Sequence, residues 1–336
     1  MRNLFTLFIS NVSLLNDQFS RFVQISSGLY ELMFNNDSLP SGRIIISPDG
    51  FYFPFEALIS NILPINYLLN DHSISYTYSA RYLTNPFVAG SKTAAHNFLG
   101  IAPENYPSYL HLTSLNGSKL SLERISATFN DAENLTGKEA SKANFLNRYS
   151  KCHVVQLYTH ASDSSRNGEP VIYFADSALY LSDIMSEDRP ITSLIVLSAC
   201  ETGKGELYNG EGVFSMNRAF AALGIPSSIS SLWSLDNFST FKLTELFYKY
   251  LSLGMPADVS LQQAKLEFIN SSSKLNQLPY FWACTVLVGK DYTIQIVERP
   301  RIFMLVSIMG AMALVTFIGF RVFAKNEKTM PDQILR

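Results

Sequence analysis

Apolar residues alternate along this chain between short continuous runs and helix-spaced stretches. Positions Leu4, Leu7, Phe8, Leu14, Leu15, Phe19, Phe22, Val23, Leu29, Leu32 and Met33 recur at helical intervals and predict a leading amphipathic helix within 1–34. Short strands are expected at 43–47, 73–78 and 97–102, and a mostly helical segment at 55–69, interrupted near Pro64. Residues 103–118, rich in Pro, Asn, Ser and Gly, read as a surface loop. Helical patterns at 120–129 and 139–149 lead into the buried run Val154-Val155-Gln156-Leu157-Tyr158, and 171–174 with 178–181 form a hairpin around Asp176-Ser177. The run Leu194-Ile195-Val196-Leu197 is a second buried strand. Beyond it come a helix at 214–223, a strand at 227–233, helices at 236–251 and 257–269, and a last strand at 281–288. Strands alternating with helices predict an α/β fold around a mainly parallel sheet.

Both buried runs end in chemistry. The first passes into Thr159-His160-Ala161 and the second into Ser198-Ala199-Cys200-Glu201-Thr202-Gly203. Ligands of open α/β sheets sit beyond the carboxyl ends of the strands, so a thiol and an imidazole there face a crevice. That is the pair a cysteine nucleophile requires. Cys200 taken alone is equally well read as a buried structural thiol.

Composition narrows the classes. A net charge of −2 leaves no basic footprint for nucleic acid. Three cysteines (Cys152, Cys200, Cys284) give no disulfide or CxxC framework, and five histidines lack ligand spacing with them, so no metal site or cofactor is expected. The glycines between Gly203 and Gly212 follow neither a Walker A nor a GxGxxG pattern. No GxSxG elbow supports a serine hydrolase. Residues 302–320 form an uncharged run of 19 between Arg301 and Arg321, long enough to cross a bilayer, so a single-pass transmembrane helix and a short polar tail at 321–336 are expected. Which side of the membrane the domain occupies is left open, because basic residues flank the run on both sides.

Thr159-His160-Ala161, Leu197 to Gly203, Gly210-Glu211-Gly212-Val213, Ser230-Ser231-Leu232-Trp233, Phe247 to Leu251 and Pro279 to Ala283 follow one another in an order that resembles CHAT domains. Upstream, Ile44 to Gly50 and Pro54 to Leu58 resemble that family's opening strand and first helix. CHAT domains are caspase-like, separase-related cysteine peptidase domains, often found with tetratricopeptide repeats. The resemblance implies a caspase/haemoglobinase-like mainly parallel sheet flanked by helices, with a CHAT domain over 1–292. It also implies a Cys200–His160 dyad cutting a protein or peptide substrate, with an oxyanion hole of the Ala161 and Cys200 backbone N–H groups. Trp233 lines the substrate cleft or is core. Asp236 and Asn237 lie where relatives hold a basic side chain in the first pocket, although Asp236 also reads as a helix cap. Glu211 orients the site or caps the helix beginning near Val213. A tetratricopeptide-repeat partner, or a separately encoded upstream region, is implied as well. Two functions follow: a membrane-anchored cysteine endopeptidase, with a preference for basic residues, or a catalytically silent module serving as a membrane-bound interaction and signalling platform.

Overall fold

The computed structural model describes residues 15–34, 39–48, 52–84, 94–162, 170–184, 189–199, 212–233 and 235–290. Thirteen strands are described: β1 (Gly42–Ile46), β2 (Ile59–Ile62), β3 (Ile65–Tyr67), β4 (His72–Tyr76), β5 (His96–Ala102), β6 (Ala132–Thr136), β7 (Cys152–Thr159), β8 (Ala161–Ser162), β9 (Val171–Tyr173), β10 (Ala178–Tyr180), β11 (Leu194–Ala199), β12 (Ser227–Ser231) and β13 (Thr285–Gly289). The helices are α1 (Leu15–Phe34), α2 (Leu68–Asp71), α3 (Ala80–Thr84), α4 (Ser118–Ser126), α5 (Lys142–Arg148), α6 (Gly212–Ala222), α7 (Asn237–Leu251) and α8 (Ala257–Ser271).

Eight strands form one sheet in the order β1-β4-β13-β12-β11-β7-β5-β6. Every neighbouring pair is parallel except β12–β13. The expected mainly parallel sheet is therefore present, with one seam across which β13, β4 and β1 run opposite to the other five. Period-two alternation sorts its side chains into two cores. Val154, Tyr158, Leu194 and Val196 join the core that includes residues of α1, α4, α7 and α8. Val155, Leu157, Ile195 and Leu197 join the other, with Phe145 of α5 and Phe220 of α6.

Local chemistry fixes the element ends. Asp236 caps α7, its Oδ1 accepting from Ser239 N–H at 2.9 Å, and Ser141 caps α5 through Asn144 N–H at 3.2 Å. Gly224, with φ at +96°, ends α6 in the left-handed conformation and Pro226 follows. Gly100 in β5 permits a close approach: a Cβ there would stand 2.4 Å from the Leu122 side chain of α4.

The 55–69 expectation is corrected. Phe55–Ala57 is a single 3-10 turn, and β2 and β3 form a hairpin before the short α2. The spacing of Phe55, Leu58, Ile59 and Ile62 imitates a helix, but Pro64 removes a backbone donor and constrains Leu63. Asn61 closes the turn by accepting from Leu63 N–H at 3.3 Å. No helical face is buried here, since Ile62, Leu63 and Ile65 are exposed by 42%, 86% and 39%. Strand β6 was not anticipated between the two helices that flank it, because Ala132-Glu133-Asn134-Leu135-Thr136 buries only Leu135. The strand expected over 281–288 begins later, at Thr285, after a 3-10 turn over Pro279–Phe281. That over 227–233 stops at Ser231. Among the described residues no helix is long and apolar enough to cross a membrane; the 302–320 run lies outside them.

Candidate active site

The sheet order locates a crevice. From β5 the chain moves outward to β6 and then returns to β7 on the other side of β5. The carboxyl ends of β5 and β7 therefore flank a topological switch point, where ligands of such sheets bind. His160 immediately follows β7, and the loop that follows β5, residues 103–117, meets it there.

His160 is only 2% exposed. Its Nε2 lies 2.8 Å from the Thr113 carbonyl oxygen. A carbonyl only accepts, so Nε2 carries the proton, and in the neutral ring Nδ1 holds the lone pair. The Tyr106 ring packs against the imidazole at 5.0 Å between centroids, inclined by 52°. The Tyr106 hydroxyl accepts from the His160 backbone N–H at 3.3 Å.

Strand β11 delivers the next element in register. Ala199 pairs with Thr159, so the last described residue of β11 stands beside the residue before His160. Cys200 is next in sequence; it and Glu211 lie outside the described residues. Below, a buried hydrogen-bond chain crosses the sheet. Gln156 Nε2 donates to Ser198 Oγ at 3.0 Å, Ser198 Oγ stands 3.1 Å from Thr244 Oγ1, and Thr244 donates to the Thr240 carbonyl at 2.8 Å. Each hydroxyl has one proton, so Ser198 donates to Thr244. This chain fixes the approach of β11 against α7. Ser198, Thr240 and Thr244 also line a small pocket with Ser231 and Thr285, under the carboxyl ends of β11 and β12.

Ala161 lies on β8, the outer strand of the three-stranded sheet β10-β9-β8. Tyr173 N–H donates to the His160 carbonyl at 2.9 Å, and Ala161 stands opposite Ile172. In an antiparallel pair this makes Ala161 a non-hydrogen-bonded position. Its N–H is therefore directed away from β9.

The remaining candidates sit elsewhere. Trp233 and Asp236 occupy the connection between β12 and α7, Asn237 begins α7, and β12 is separated from β7 by β11. Trp233 donates its Nε1–H to the Tyr280 carbonyl at 3.0 Å and stacks on the Tyr280 ring. Asp236 is exposed and serves as the α7 cap described above. Of the cysteines, Cys152 and Cys284 are buried free thiols. Burial, with Glu133 nearby, pushes the Cys152 thiol up to about 12. Among the described residues no three His, Cys, Asp or Glu side chains are grouped to hold a metal ion.

Sequence reading missed Thr113 and Tyr106. A main-chain carbonyl has no residue signature, and 103–118 reads as surface. Only the folded chain shows the loop: Leu115 N–H returns to the Glu104 carbonyl at 2.8 Å and closes it compactly, a form that often carries function.

This architecture is a mixed α/β fold with a mainly parallel sheet, and gingipain R, an Arg-specific cysteine proteinase, has a similar one. The match has a TM-score of 0.51 at 10% identity, over 81% of this chain and 68% of that one. The Saccharomyces cerevisiae separase–securin complex also matches, with a TM-score of 0.46 at 14% identity, over 71% of this chain and 15% of that chain. The CHAT domain model matches residues 2–290, and the chain belongs to the CHAT domain family. Human tetratricopeptide repeat protein 28 is 26% identical over 153 residues, which is 45% of this chain and 6% of that protein. The chain thus spans a small fraction of that curated relative.

Proposed function

We propose that this chain is a cysteine endopeptidase in which Cys200 is the nucleophile and His160 its base. The observation that carries the reading is the polarised imidazole. The Thr113 carbonyl accepts the Nε2 proton, which in the neutral ring puts the basic lone pair on Nδ1, and the Ala199–Thr159 register brings β11 alongside. His160 takes the Cys200 thiol proton, and the thiolate so formed attacks the peptide carbonyl carbon. The tetrahedral oxyanion is met by the Ala161 and Cys200 N–H groups. The C–N bond then breaks as the imidazolium protonates the leaving amine, and water hydrolyses the thioester. The basic preference implied by the family rests on Asp236, whose Oδ1 is already engaged by the α7 cap.

Thiol ranking tests this reading. At pH 7 a thiol with a pKa near 12 is about 10⁻⁵ ionised, against a few per cent for an ordinary one near 8.5. In the folded protein Cys200 is expected to alkylate more than about a thousandfold faster than Cys152. Brief iodoacetamide treatment followed by peptide mass spectrometry reads this directly. Labelling of Cys200 no faster than that of Cys152 or Cys284 sinks the proposal and leaves the silent module.

The proposal includes attachment to a membrane through 302–320, and action alongside a tetratricopeptide-repeat region, encoded upstream or separately. The uncharged run supports the first and the human relative's repeats the second. Full-length chain is expected to stay with membranes through carbonate extraction. Its release into the supernatant removes the anchor from the reading.

A further inference from the structure

We infer that Tyr106 is a positioning residue that sets the tautomer and orientation of His160. This rests on the reading of His160 as the partner of Cys200, and assigns a role to a side chain outside that pair. The hydroxyl makes a directed relay. Thr159 Oγ1 donates to the Tyr173 carbonyl, so its lone pairs are available to the Tyr106 hydroxyl at 3.1 Å. Tyr106 thus donates to Thr159 and accepts from His160 N–H at 3.3 Å. One phenol oxygen pins the loop after β5 to the last residue of β7 and to the backbone of the residue that follows.

The geometry couples two ends of one loop. Tyr106 is anchored to residues 159 and 160, and Thr113, seven positions later, presents the carbonyl that receives Nε2–H. Leu115 N–H to Glu104 O closes the loop at its base, and Ser114 donates to Asn105 Oδ1 at 2.8 Å. A shift of Tyr106 therefore moves the Thr113 carbonyl relative to the ring. The Tyr106 ring adds a second constraint, packing against the imidazole at 5.0 Å between centroids. Tyr109 supplies an internal control. It belongs to the same loop, but its hydroxyl reaches the Asp176 carbonyl at 2.8 Å on the β9–β10 turn.

The test compares full-length wild type, Tyr106→Phe, Thr159→Val and Tyr109→Phe, with melting curves to confirm folding. Long-range ¹H–¹⁵N spectra of imidazole-labelled protein, assigned with His160→Asn, report the tautomer. Iodoacetamide labelling of Cys200 against pH reports its ionisation. Tyr106→Phe is expected to move His160 from the Nε2–H tautomer toward a mixture. It is also expected to slow Cys200 labelling at pH 7 by about three- to tenfold, the equivalent of one lost hydrogen bond. Thr159→Val, which removes the acceptor, is expected to do the same and to add little in the double variant. Tyr109→Phe leaves both readouts at wild-type values. An unchanged tautomer and pH profile in Tyr106→Phe, or equal changes in Tyr109→Phe, overturns the inference. A tautomer change confined to Tyr106→Phe and Thr159→Val, in a protein whose Cys200 is no more reactive than its other thiols, keeps the positioning role and removes the peptidase.

Discussion

Replacing His160 by Gln is expected to lower Cys200-dependent peptide hydrolysis by about 10²–10⁴-fold while the protein remains folded. Gln supplies an amide N–H that can still donate to the Thr113 carbonyl, but it has no nitrogen that accepts the thiol proton. Under the proposed mechanism the loss falls on kcat, because the imidazole would act in proton transfer and not in substrate binding. The measurement is hydrolysis of a fluorogenic peptide mixture, with Cys200→Ala as the background. A His160→Gln rate within twofold of wild type, in a preparation whose activity disappears with Cys200→Ala, would show that another group takes the proton.

The largest expected effect on stability lies across the sheet, at a buried ion pair. Lys265 of α8 and Glu56 of the 3-10 turn meet at 3.0 Å, with 1% and 2% of their side chains exposed. The Tyr76 hydroxyl, held protonated by burial and by Glu56, stands 2.8 Å from Glu56 Oε2 and 2.6 Å from the Phe53 carbonyl. Lys265→Met strands a carboxylate in the core and is expected to cost about 3–5 kcal/mol. Lys265→Met with Glu56→Leu should recover most of that loss, since an apolar pair of similar volume often matches or exceeds a buried ion pair. Urea midpoints at constant slope separate the two. A single variant within about 1 kcal/mol of wild type would mean that water reaches Glu56. The pair also joins segments 209 residues apart, and Asp258 does likewise, accepting from Arg43 of β1 and Ser73 of β4.

What the chain disclosed in advance follows from the range of each interaction. The runs at 154–158 and 194–197 are buried on both faces, so their apolar continuity marked them as strands, and their polar ends marked the candidate site. The 55–69 hairpin was hidden because Phe55, Leu58, Ile59 and Ile62 have helical spacing, and a turn at Pro64 decides the outcome. Strand β6 carries one buried side chain, too few for a period. The reversal of β13 depends on pairing between residues far apart in sequence, which no local pattern records. At the site, His160 was visible as a residue type. Its Thr113 partner was not, because any residue offers the same carbonyl; the backbone path of the 103–117 loop makes the contact. Asp236 presented two roles, and the structure places its carboxylate in the cap.

The seam between β12 and β13 governs where attachments can be made. Gly289 pairs with Ser227, so the chain leaves β13 beside the amino end of β12. His160 follows the carboxyl end of β7, which runs with β12, roughly one strand length of about 20 Å away. A fluorophore, purification handle or immobilising linker placed directly after Lys290 therefore starts from the rim opposite the crevice. Inserted instead into the 103–117 loop, the same cargo would pull on the contacts that hold the imidazole.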